Sequence, residues 1–117
     1  MKIMGNKSLS LSENGGYKQV DNDHTWIVNN VVTSTYAPEI NEMVLCNPTI
    51  GGFTINLPTS IGKLGKNITI KNASNSNNTI IIQAFGSETI DNNTSVNIIT
   101  EYDLVRLMSD GANWITW

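Results

Sequence analysis

The chain has 117 residues and a mass of 12.8 kDa, enough for one hydrophobic core and short of two. Charged residues make up 15% and hydrophobic residues 39%, which excludes a charge-rich disordered chain, and the formal net charge of -3 leaves no basic surface for nucleic acid. No apolar run approaches the roughly 20 residues that span a bilayer, so membrane insertion is not expected either.

What fills the remainder is polar and uncharged. The 17 Asn, 12 Thr, 10 Ser and 15 Ile are turn formers and β-branched residues, a composition that favours strands and loops over helices. In chain order, residues 1–25 are mostly polar, and their only regularity is Leu9 and Leu11 alternating with Ser8, Ser10 and Ser12. This segment is expected to be an N-terminal arm that attaches the protein to a partner. Residues 26–117 read as a single β-domain. Its short apolar or alternating runs fall at 26–28 with 31–32, then 43–46, 53–57, 67–71, 79–84, 95–99, 104–108 and 114–117.

The rhythm of about ten residues per run, with no stretch long enough for a crossover helix, predicts an all-β fold. The expected form is a compact antiparallel sandwich, barrel or prism. Phe53, Ile55 and Leu57 alternate with Thr54 and Asn56, as in a half-buried strand. Ile80, Ile81 and Ile82 are continuously apolar, so both sides of that strand need cover, from a second layer or from another subunit. Trp114 and Trp117 place large apolar surfaces on the last strand, where a subunit interface would hide them. Between the runs, Gly65, Gly86 and Asp110-Gly111 supply turns, Pro58 ends a strand, and Asp91 is suited to an Asx turn over Asn92-Asn93.

Groups for chemistry are sparse. His24 is the single histidine and Cys46 the single thiol, read as a buried small hydrophobe. The Asp21-Asn22-Asp23-His24 cluster lacks calcium-loop spacing, so no metal or other cofactor is expected. Glu39 with Glu42, and Glu88 with Asp91, are the carboxylate pairs that glycoside hydrolysis would need, but acids beside turns are usually solvated. Gly62-Lys63-Leu64-Gly65-Lys66 fails as a phosphate loop, because Asn67 stands where Ser or Thr is required. The expectation is no enzymatic activity and no catalytic residue.

One ordered set of features stands out. It runs from Thr54-Ile55-Asn56-Leu57-Pro58 through Gly65-Lys66-Asn67-Ile68-Thr69-Ile70-Lys71-Asn72 and Gly86-Ser87-Glu88-Thr89-Ile90-Asp91 to Val105-Arg106-Leu107 and Ser109-Asp110-Gly111-Ala112-Asn113-Trp114. This order resembles a β-module that recurs in bacteriophage tail-fibre and head-fibre proteins, and it covers residues 44–117. The resemblance implies a virion structural protein, commonly trimeric, though the family usually carries the module at the end of a longer fibre.

Two functional expectations follow. The first is a homotrimeric head fibre or capsid decoration protein at the virion surface, made in the bacterial cytoplasm and anchored to other virion proteins by its arm. Its subunit interface is expected at Ile80, Ile81, Ile82, Trp114 and Trp117, and its attachment at Leu9 and Leu11. The alternative is a tail-fibre or receptor-binding module that recognises a host surface glycan through Asn, Thr and an aromatic such as Tyr102 or Trp117.

Overall fold

The computed structural model describes residues 27–28 and 31–117. Eight strands and no helix occur among the described residues: β1 (Ile27–Val28), β2 (Glu42–Cys46), β3 (Phe53–Asn56), β4 (Asn67–Asn72), β5 (Ile80–Gln83), β6 (Ser95–Ile98), β7 (Leu104–Ser109) and β8 (Trp114–Thr116). They form a larger sheet in the order β1-β2-β4-β7-β8 and a smaller one in the order β3-β5-β6. The strands coincide closely with the apolar and alternating runs, because each run has one side that only a core can cover.

The pairing corrects the antiparallel expectation, since both sheets are mixed. β1, β2 and β4 are parallel neighbours, as are β3 and β5, with Val44 opposite Ile70 and Phe53 opposite Ile80. A parallel connection needs a crossover, and absence of a helix argued against one. Here the opposing sheet is the crossover. The chain passes from β2 in the larger sheet to β3 in the smaller, then to β4 and β5, so each strand returns beside its predecessor in the same direction. Bridges from Val32 to Cys46 and from Tyr36 to Ile55 repeat the pattern one turn earlier. The winding stops where β6 folds back on β5, and β7 and β8 continue antiparallel.

The core lies between the sheets. Val44, Cys46, Phe53, Ile55, Ile68, Ile70, Ile80, Ile82, Ile98, Leu107 and Trp114 fill it, each worth roughly 1.5–3 kcal/mol of burial for an aliphatic side chain of this size. The Ile80 to Ile82 run resolves by alternation. Ile80 and Ile82 are fully buried in the chain's own core, while Ile81 points to the opposite side and is 36% exposed. Trp114 is also consumed by that core, and its indole N–H donates to the Pro58 carbonyl at 3.2 Å. Trp117 is the C-terminal tryptophan that stays at the surface.

The free edge of β8 is blocked by the chain itself. The Trp114 N–H donates to the Thr89 carbonyl, and the Trp114 carbonyl accepts from the Asp91 N–H. One residue further on, the Thr116 N–H donates to Asp91 Oδ1 at 3.0 Å and the Thr116 hydroxyl donates to Asp91 Oδ2. The Asp91 carboxylate therefore reaches across to an edge strand instead of closing an Asx turn on its own loop. Sheet edges left open invite pairing with other chains. The proposed arm residues Leu9 and Leu11, and the Asp21 to His24 cluster, lie outside the described residues.

Candidate assembly surface

Strand register decides which side chains share the outward side of the larger sheet. Every second residue of β2, β4 and β7 enters the core, so the alternates must face away from it. Cross-strand pairing aligns these alternates in three rows: Asn67 with Met108 and Ile115; Val28 with Met43, Thr69 and Arg106; and Leu45 with Lys71 and Leu104. Trp117 joins the second row, because its backbone N–H donates to the Arg106 carbonyl at 3.1 Å.

The result is an outward face on which Val, Met, Leu, Ile and Trp side chains outnumber Asn67, Thr69, Lys71 and Arg106. Trp117 is 53% exposed, Leu104 40% and Ile115 38%. Thr69 faces the same way yet is buried, hemmed in by the rows beside it. Met, Trp and Arg are the residue types enriched at protein contacts, and apolar patches on this scale mark interaction sites. Two cations sit within it, and both are tied to their own chain. Lys71 Nζ donates to the Tyr102 carbonyl at 2.6 Å, and Arg106 Nε donates to the Trp117 carbonyl at 3.1 Å. The Arg106 guanidinium also lies 4.6 Å from the centroid of the Trp117 ring, a cation–π stack that holds both side chains in place. Asn67 Oδ1 is buried at the end of the first row with no hydrogen-bond donor among the described residues.

The smaller sheet presents a different outward side. Thr54, Asn56, Gln83, Asn97 and Ser95 line it, and Ile81 is the one apolar residue in their midst. Of the five expected interface residues, then, Ile80, Ile82 and Trp114 lie inside the chain, while Ile81 and Trp117 are exposed on different sheets. Hydropathy alone could not have separated them, because alternation in β5 is hidden by three identical residues. The face that includes Met43, Leu45, Leu104 and Ile115 was missed because register across strands far apart in sequence is invisible before they pair.

The acids considered for hydrolysis are engaged in structure. Glu88 is buried and accepts from the Thr59 hydroxyl at 2.5 Å, the Ser60 N–H at 2.9 Å and the Ser60 hydroxyl at 2.9 Å. Burial pushes its pKa up, but the three hydrogen bonds outweigh that and hold it below the ordinary value. Glu42 is buried too, accepting from the Tyr36 hydroxyl at 2.6 Å and the Glu39 N–H at 2.9 Å. Burial pushes the Cys46 thiol up to about 12, which leaves it protonated and unreactive.

At the β8 edge of the apolar face, the turns at 90–93 and 110–113 enclose an open cleft of about 360 Å³ lined by Asp91, Asn92, Asp110, Asn113, Thr89 and Ile115, over Trp114. Asp110 Oδ1 accepts from the Asn113 N–H at 2.7 Å and the Ala112 N–H at 2.9 Å. These two bonds, from Asn113 and then Ala112, lower its pKa, so it is ionised at neutral pH. Comparison with known proteins gives no further guide: no protein family matches the chain, and no curated protein matches it.

Proposed function

We propose that this chain is a virion structural module, a homotrimer displayed at the surface of a phage particle as a head fibre or capsid decoration protein and attached through its N-terminal arm. The ordered motifs from Thr54 to Trp114 point to the virion. The single structural observation that supports self-association is the outward face of the larger sheet, where Met43, Leu45, Leu104, Met108, Ile115 and Trp117 form an apolar surface that no other described residue covers. Burying such a surface between copies supplies the driving force, and a wound β-fold with a blocked edge supplies a rigid building block.

Sedimentation equilibrium tests the oligomer. The expected result is a trimer at micromolar concentration, dispersed by Ile115→Asp and preserved by Ile81→Asp, since a carboxylate on the apolar face would be buried without a partner. A monomeric wild type rules out self-association, and the reverse pattern of the two variants moves the contact to the smaller sheet. Electron microscopy of particles carrying labelled protein then tests the location, with label expected on the capsid.

A further inference from the structure

We infer that the contact between copies joins two unlike surfaces: the Arg106–Trp117 pair on the apolar face of one copy enters the cleft between the 90–93 and 110–113 turns of the next, where Asp110 receives the guanidinium. This rests on the self-association proposed above and names its polar anchor.

Charge is the first reason. The outward side of the larger sheet carries two cations, Lys71 and Arg106, and no acid. Packing this face against itself across a two-fold axis would set cation against cation in a partly desolvated contact, which disfavours that arrangement. A face bearing only cations is matched by an acidic surface, and this acidic chain offers one in the cleft that contains Asp91 and Asp110.

Hydrogen-bonding capacity is the second. Arg106 uses Nε on the Trp117 carbonyl, which leaves its two terminal nitrogens without a partner among the described residues. Asp110 uses Oδ1 for the two turn amides, which leaves Oδ2 equally unpartnered. Asp91 has both oxygens on Thr116 and contributes charge alone. An unused pair of guanidinium donors and an unused carboxylate oxygen are complementary, and both are held by their own chains before any contact forms. A cleft of about 360 Å³ admits a guanidinium with part of a stacked ring.

Continuity is the third. Ile115 belongs both to the first row of the apolar face and to the lining of the cleft, so the apolar and polar parts of the contact adjoin. Each copy offers the face once and the cleft once. A head-to-tail contact of this kind closes into a ring where its rotation permits, whereas packing the face squarely on its own copy leaves the cleft unused.

The test is a double-mutant cycle read by sedimentation equilibrium, with thermal melts to establish that each variant is folded. Asp110→Asn keeps an oxygen for the turn amides and removes the charge, and Arg106→Gln removes the guanidinium. Each is expected to weaken association by about tenfold or more, with the double variant no weaker than the worse single variant. Arg106→Lys, an exposed change with little risk to folding, should recover part of the loss by restoring charge without the planar fork. Raising salt should weaken the wild type more than the double variant. A trimer indifferent to both single variants, or losses that add in the double, would overturn the cleft contact while leaving self-association standing; a monomeric wild type would remove both.

Discussion

Glu88 accepts three hydrogen bonds, and its partners come from the segment just beyond Pro58, far away in sequence. It ties the 85–88 turn to the loop after β3 and so fixes the end of the smaller sheet. The energetic consequence has a definite sign. Because the native state lowers its pKa below the ordinary 4.5, the unfolded chain binds the proton more readily. The contribution to stability is therefore fully present above 4.5 and is lost as pH falls through the folded value. Thermal melts from neutral pH down to pH 3 should show this decline. Glu88→Gln presents an NH₂ to hydroxyl and amide donors, leaving one or more unsatisfied, and should cost about 1–3 kcal/mol at neutral pH. The variant should also flatten the acid limb of the stability profile; an unchanged limb would assign it to other carboxylates.

At the scale of elements, the strands were readable and their partners were not. Alternation at Phe53, Ile55 and Leu57, and at Ile68 and Ile70, marks a strand because residues two apart share a side. The same pattern is silent on whether the neighbour runs parallel, and the short linkers favoured the wrong answer until the opposing sheet was seen to provide the crossover. The candidate surface suffered more, since only Trp117 of its apolar residues was singled out in advance. Close approach between the wound turns is tightest at Gly52, where an added Cβ would sit 2.3 Å from the Thr79 carbonyl oxygen. That carbonyl accepts from the Phe53 N–H at 3.2 Å, so the start of the β3–β5 pairing has no room for a side chain. Gly52→Ala should cost about 1–3 kcal/mol in urea denaturation through overpacking against backbone that cannot yield. Gly51→Ala, with nothing within 4 Å of its Cβ, is the control and should be nearly neutral. Equal effects at both positions would point to a shared flexibility requirement instead of the clash.

Taken whole, the molecule separates what folds it from what the proposed function asks it to hold. Among the described residues, every buried apolar residue of the core lies from Val44 onward, and the last of them is Trp114. β1 adds an edge pairing of Ile27 with Glu42 and Val28 with Met43. A chain beginning at residue 26 should therefore keep its fold, with a melting temperature within a few degrees of the full chain, because it retains every described core residue. It should also keep its oligomeric mass, since the apolar face and the acidic cleft are both retained. What it should lose is attachment to the particle, which the proposal assigns to the segment containing Leu9 and Leu11. Co-sedimentation of the shortened and full chains with phage particles lacking the endogenous protein checks this directly. Binding by the shortened chain would move attachment into the β-domain, and failure to fold would make residues 1–25 part of the domain and count against the division at residue 26.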